Sequence, residues 1–420
     1  EPIFGLDIFL ENSRLMKTGG FMEAVQARYH RLNTYTYTQL FLGDRVINTA
    51  EPENIKAVLA TQFKEFELPP RRKNAFRPTF GHGIFTTDGK EWEASRALLR
   101  PNFTRSQVGD LETFEGHIGK LIERIPKGGE TVDLQQLFFM LTMDSATEFL
   151  FGTSSDVLGL GMSGERERGV RFQDAFTYVT ERMGLESRVG RLATLMPNRR
   201  MEESISFVHE YIGAYIHKAV EMRKEGFEEG EKAEEGRARY VFLEELAKQN
   251  IGEKKVQDEL LNILLAGRDT TASLLSYLFY TLARRKDVFA KMKGEVDALG
   301  GERPTFEQLK SMKYLQHTMN ESELLPPPIP LYNLETLRMD RLTRFFLVLR
   351  LHPIVPANSR ICVSDTSLPV GGGPDQKSPI FVKKGTQINY QVYVMHRRKD
   401  LYGEDADEFR PERWETLRPR

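Results

Sequence analysis

The chain has 420 residues, 40% hydrophobic and 28% charged, with 59 Lys and Arg against 60 Asp and Glu. That composition is globular rather than disordered, and a net charge of −1 gives no electrostatic footprint for nucleic acid, of which no motif is found either. One cysteine excludes an internal disulfide framework and suits a reducing compartment, and no run approaches the roughly 20 apolar residues of a membrane span.

In chain order, Phe21–Arg31 reads as an amphipathic helix. Thr34–Asn48 is rich in Thr, Tyr, Val and Leu and reads as two strands around Gly43-Asp44. Glu53–Thr61 reads as a short helix. Longer ones follow over Glu91–Asn102, Ser106–Ile125, Leu134–Phe151, Phe172–Met183, Glu202–Lys224 and Val241–Gln249. Glu225–Arg239 is charged and glycine-containing and reads as a solvated loop. Met312–Glu321 reads as helix; Ile361–Val363, Ile380–Val382 and Gln387–Val392 read as strands. Gly371-Gly372-Gly373-Pro374 reads as a turn after the first of these strands. No internal repeat is evident.

The segment Glu253–Arg285 carries no proline, and it is apolar around its middle: Leu260, Leu261, Ile263, Leu264, Leu265, Ala272, Leu274, Leu275, Leu278 and Phe279. A helix apolar on all sides is a buried helix. Within it lies Ala266-Gly267-Arg268-Asp269-Thr270-Thr271. Gly267 costs roughly 1 kcal/mol relative to alanine in a helix, and burial penalises the Asp269 carboxylate unless it is partnered. Two readings stand side by side. Small residues beside an acid and an alcohol offer a flat packing place with a proton donor. Alternatively, Thr270 bonds back to the Ala266 carbonyl and Gly267 lets another helix approach.

Three further segments accompany the hexapeptide: Trp92-Glu93-Ala94-Ser95-Arg96 (W-x-x-x-R), Arg350-Leu351-His352-Pro353 (the end of E-x-x-R-x-x-P) and Phe409-Arg410-Pro411-Glu412-Arg413-Trp414 (F-x-P-E-R-W). In this order, over nearly the whole chain, the set resembles the cytochrome P-450 superfamily of haem-thiolate monooxygenases, whose oxygen-activation motif Ala266–Thr271 matches. Gly83–Gly89 and Phe138–Gly152 narrow the resemblance to fungal hydroxylases of long alkanes and fatty acids. The resemblance implies a mainly α fold, one large helical domain with a small β-sheet region, spanning residues 1–420 and truncated at both ends.

The resemblance also implies roles. Asp269 and Thr270 become the proton donors of oxygen activation. Trp92, Arg96 and Arg360 bind the cofactor, the arginines pairing with haem propionates, and Ala266 and Gly267 form the surface on which it packs. Glu321, Arg350 and Arg413 form a structural ion triad. Phe85, Leu265, Pro356 and Ala357 line the substrate site, with Asn358 beside them. No metal ligand is assigned: His82, His352 and His396 lack metal-ligand spacing. The implied cofactor is haem, whose axial cysteine belongs in a glycine-rich loop after the P-E-R-W segment. Cys362, in Arg360-Ile361-Cys362-Val363, lies outside such a loop, so the axial cysteine is expected to be absent from this chain. The implied partners are an NADPH-linked reductase, a long-chain hydrophobic substrate, and the endoplasmic reticulum membrane through an N-terminal anchor missing here. The alternative is a haem-less, non-catalytic fragment or mis-annotated gene product retaining only an apolar lipid-binding pocket.

One segment breaks the pattern. The E-x-x-R element needs Glu and Arg one helical turn apart, yet Leu347 stands three positions before Arg350. Glu323–Val348 contains Pro326-Pro327-Pro328 and Pro330, which no helix interior tolerates. Removing it joins Asn320-Glu321-Ser322 to Leu349-Arg350 and restores E-S-L-R as Glu321 and Arg350. The segment therefore reads as foreign to the fold. Glu335-Thr336-Leu337-Arg338 has the same spacing but lacks the following L-H-P.

Overall fold

The structure, a computed structural model, describes residues 5–103, 111–161, 163–189, 198–224, 241–249, 251–322 and 350–417. Glu323–Val348 and Glu225–Arg239 lie outside the described residues. The fold is mainly α with small sheets, as the sequence implies. The chain forms two compact units. One is all-helical among the described residues, Pro70–Ser276; the other, Glu1–Pro69 with Tyr277–Arg420, carries the strands.

In the strand-bearing unit, β1 (Thr36–Phe41) and β2 (Asp44–Thr49) form an antiparallel hairpin in which Phe41 pairs with Asp44. Leu42 and Gly43 both adopt positive φ, the handedness that a two-residue turn needs to match strand twist. The remaining strands are β3 (Phe66–Glu67), β4 (Ala357–Cys362), β5 (Thr366–Gly372), β6 (Ser378–Val382) and β7 (Gln387–Gln391). The main sheet runs β1–β2–β7–β4–β3, with β2 and β7 parallel. Its buried face contributes Ile47, Phe66, Cys362, Ile388 and Tyr390 to one apolar cluster, shared with Val25 and Tyr29 of the helix Phe21–Leu32.

The glycine run departs from expectation. Gly371 and Gly372 end β5 rather than forming a turn after Ile361–Val363. A Cβ at Gly371 would stand 2.7 Å from the Thr36 Cβ, so the glycine is required by a neighbour remote in sequence. The turn itself is Gly373–Gln376, closed by the Gln376 amide donating to the Gly373 carbonyl at 3.2 Å.

In the helical unit, Leu134–Phe151 is bounded by local chemistry. The Asp133 carboxylate accepts from the amides of Gln135 and Gln136, and Gly152 stops the helix at φ 71°. Asp144, fully buried on it, accepts from Ser155 Oγ and the Val157 and Leu158 amides, each at 2.9 Å. The core around Phe80, Phe172, Phe176 and Tyr211 is aromatic, with Phe172 and Tyr211 stacked at 4.1 Å. A helix Pro70–Phe80, not anticipated from its prolines and basic residues, enters this core through Phe76 and Phe80. The long helix spans Glu253–Arg284. It is not apolar on all sides in the expected sense. Asp258, Glu259, Asn262 and Arg268 are buried on it, whereas Tyr277, Phe279 and Tyr280 are exposed.

Candidate functional site

In the helical unit the long helix presents Leu265, Ala266, Gly267, Asp269 and Thr270. The Asp269 carboxylate is half-buried, and its neighbour Arg268 donates Nη1–H to Oδ1 at 2.8 Å. Burial raises the Asp269 proton affinity above the ordinary aspartate value, and the Arg268 charge and hydrogen bond offset part of that rise. Arg268 is only 2% exposed. Its Nη2–H donates to Thr177 Oγ1 at 2.5 Å, and its guanidinium lies 5.0 Å and 5.4 Å from the Phe139 and Phe176 ring centres. Burial lowers its own proton affinity, with Asp269 opposing that shift. Sequence reasoning gave Arg268 no role. Its signal was one cation inside an apolar stretch with an acid next to it.

Thr270 donates its hydroxyl to the Ala266 carbonyl at 2.5 Å. Gly267 is not demanded by protein packing. A Cβ there would meet only the Ala146 Cβ, at 3.9 Å, which is ordinary contact. Among the described residues nothing lies closer to that position than Ala146. Gly267→Ala should therefore stabilise the protein by about 0.5–1 kcal/mol, the helix-propensity difference. A rise in urea midpoint checks this; a fall would mean that something packs there too closely for a methyl group.

Trp92 and Arg96 share the helix Gly89–Leu99, with the Arg96 guanidinium 5.5 Å from the Trp92 ring centre. Arg96 is half-buried, and burial and then Arg100 lower its proton affinity. Among the described residues no carboxylate pairs with it, and its guanidinium faces the Trp92 ring. Phe85 and Leu265 are half-buried, and Leu265 packs on the aromatic core.

The strand-bearing unit holds the other candidates. Arg360 lies on β4, half-buried, its Nη1–H donating to the Ser359 carbonyl at 3.2 Å and no described carboxylate pairing with it. Pro356 precedes the strand, its carbonyl accepting from the Tyr393 amide at 3.0 Å, and Ala357 pairs with Gln391 of β7. Glu321, at the end of the helix Lys313–Ser322, is met by both arginines. Arg350 donates to its carboxylate at 2.7 and 3.1 Å and Arg413 at 2.9 Å. Two further donors, Trp414 Nε1–H and the Arg410 amide, each at 2.8 Å, were not anticipated. Glu321 and Arg350 are fully buried.

His82 is exposed, His352 stacks on Tyr277 at 4.6 Å, and buried His396 sits 3.2 Å from the Arg350 carbonyl. Among the described residues no group of three or more His, Cys, Asp or Glu is placed to hold a metal ion.

Cys362 does not fit a thiolate ligand. It is 1% exposed in the sheet core, and its thiol donates to the Ser364 carbonyl at 2.5 Å. Burial pushes the thiol up, Ser364 partly offsets it, and Glu65 and Asp365 add to the rise. Cys362 thus fits a structural thiol. Cys362→Ser should leave the visible spectrum of haem-loaded protein unchanged; loss of a thiolate-type carbon monoxide band would refute that.

The cytochrome P-450 family profile matches residues 3–335 and 348–418. The cytochrome P-450 monooxygenase himC of Aspergillus japonicus is 40% identical over 422 residues, covering 100% of this chain and 70% of the relative. The cytochrome P-450 monooxygenase fsdH of Fusarium heterosporum is 38% identical over 424 residues, covering 99% and 69%. Cytochrome P-450 52A12 of Debaryomyces hansenii is 39% identical over 428 residues, covering 99% and 76%. With the profile spanning both units and relatives matched across nearly the whole chain, this protein belongs to the cytochrome P-450 family of haem-dependent monooxygenases, and is an oxidoreductase.

Proposed function

We propose that the protein hydroxylates long-chain alkanes or fatty acids, using dioxygen and electrons from an NADPH-linked reductase at the endoplasmic reticulum membrane. The observation that carries the reading is the Ala266–Thr270 surface. Its glycine has no packing partner that requires it, and the adjacent carboxyl has a raised proton affinity. The likeness of Gly83–Gly89 and Phe138–Gly152 to fungal hydroxylases of such substrates supports the substrate class, as do half-buried Phe85 and Leu265.

Haem, when bound, supplies the activation of dioxygen. By the resemblance, Arg96 of the helical unit is a cation that would hold one of its carboxylates. Asp269 holds a proton more readily than a solvated aspartate does, and Arg268 fixes the direction of its carboxyl. The Thr270 hydroxyl, donating to Ala266, keeps its oxygen lone pairs available to accept a hydrogen bond.

The test is product formation. Haem-loaded protein supplied with a family-like C-terminal cysteine loop is mixed with reductase, NADPH and either dodecanoic acid or hexadecane, and hydroxylated products are identified by mass spectrometry. Haem-dependent hydroxylation supports the reading. Binding of fatty acid without haem uptake would favour the lipid-binding alternative, and haem uptake with neither substrate oxidised would overturn the substrate class.

The same reading treats Glu323–Val348 as foreign to the fold. The family profile leaves 336–347 unmatched but matches 323–335 and 348, so it supports this for 336–347 alone. Deleting Glu323–Val348 would place Glu321 and Arg350 at i and i+3, a spacing compatible with their ion pair. It would also remove the apolar run Phe345-Phe346-Leu347-Val348. The deletion should raise soluble yield and protease resistance; a loss of either would assign the segment to the fold.

A further inference from the structure

We propose that Asn262 is a positioning residue that fixes Phe85 relative to the Ala266–Thr270 segment and thereby sets which long apolar substrates the site accepts. This rests on the reading of the site given above. After the helix Pro70–Phe80 the chain crosses onto the long helix as a tightly bonded loop. The Asp258 carboxylate accepts from the His82 amide at 2.8 Å, Glu259 from the Ile84 amide at 3.3 Å, and the Asn262 side-chain oxygen from the Phe85 amide at 2.9 Å. The Asn262 amino group donates back to the carbonyls of Phe80 at 2.9 Å and Asp258 at 2.7 Å. One buried amide therefore grips both ends of the Phe80–Phe85 stretch, using its donor and acceptor halves at once.

The fit is close. A Cβ at Gly81 would come within 2.0 Å of the Asp258 carboxylate, and one at Gly83 within 2.1 Å of the Asn262 amide. Inside the loop, Thr86 Oγ1 donates to the Gly81 carbonyl at 2.7 Å and accepts from the Gly83 amide at 3.0 Å. Lys255 closes the outer side, donating to the His82 carbonyl at 2.6 Å and to Ser95 Oγ at 2.8 Å.

What this precision serves is visible in the two apolar side chains of the loop. Ile84 packs on the aromatic core. Phe85 is half-buried and, among the described residues, is not part of that cluster. Asn262 and Ala266 share one helix face, about 6 Å apart along the axis. The bond from the Phe85 amide to Asn262 thus anchors the Phe85 backbone on the helix one turn before Ala266. Substrate length is then selected by where that ring stands, and ring position is set by Asn262.

The experiment measures binding of dodecanoic and octadecanoic acids to the 420-residue protein by calorimetry, in the parent, Asn262→Ser, Phe85→Ala and the double variant. Each single variant should change the ratio of the two dissociation constants by about tenfold, the scale on which apolar pockets discriminate chain length. The double variant should change it no further, because both act through one ring. Asn262→Gln, which keeps both amide groups one methylene further out, carries the comparison if Asn262→Ser does not fold. Equal shifts for both acids, or additive effects, would overturn the inference while leaving the substrate class intact. A parent that binds neither acid would overturn the substrate reading and this inference with it.

Discussion

Glu321→Ala should leave the protein largely unfolded at ambient temperature. The carboxylate accepts from Arg350, Arg413, Trp414 and the Arg410 amide, and both arginine side chains are at most 2% exposed. Removing one partner of a buried ion pair costs about 3–5 kcal/mol, because the remaining charge is stranded away from water. Here two guanidinium groups are stranded together, against a total stability of about 5–15 kcal/mol for a whole domain. The cost is cushioned on the Arg350 side by the carbonyls of His396, Ala406 and Glu408, to which it also donates. Arg413→Met should cost less than Glu321→Ala, since it removes a charge and leaves the Glu321–Arg350 pair intact. Asp297→Ala, which breaks the exposed pair with Lys293, should cost under about 0.5 kcal/mol. Urea titrations of the three variants give the order. A Glu321→Ala midpoint within error of Asp297→Ala would show that the cluster is not structural.

The sequence is most legible where the determinant is local. Leu134–Phe151 begins and ends where its Asp133 cap and Gly152 stop dictate, and the β1–β2 hairpin follows from a β-rich run around Gly43. It is least legible where the determinant lies far away along the chain. Nothing near Gly371 announces that Thr36 will press against it. Pro70–Phe80 reads as a poor helix, with Pro78 inside it and three basic residues near its start; its stability comes from Phe76 and Phe80 entering an aromatic core assembled by later helices. The site divides in the same way. Asp269 and Thr270 stand out because an acid and an alcohol interrupt an apolar run. Arg268 and Asn262 interrupt it too, but their meaning depends on partners that only the fold supplies, Thr177 for one and the Phe85 amide for the other.

Asp269→Asn should cost the haem-loaded enzyme about 10²–10⁴-fold in turnover, the usual worth of a positioned proton donor. An amide keeps the size and the hydrogen bond from Arg268 but cannot give up a proton and regain it. Thr270→Ala should act differently: turnover of NADPH persists, while product formed per NADPH falls and peroxide release rises. Alanine preserves the helix and removes only the hydroxyl now bonded to Ala266, so haem content should not change. The role proposed for Asp269 has a signature independent of turnover. Its folded proton affinity lies above the ordinary value near 3.8, so the unfolded state sheds this proton first as pH rises. The stability it contributes is complete below that value and is lost as pH climbs through the raised one. Parent stability should therefore fall relative to Asp269→Asn from about pH 4 upward, because the amide has no charge to bury. Urea midpoints of the two proteins between about pH 4 and 8 measure this difference. A constant difference across that range would mean that Asp269 titrates as a solvated carboxylate. Together with tightly coupled turnover in Thr270→Ala, that result would reduce the hexapeptide to a packing feature of the long helix.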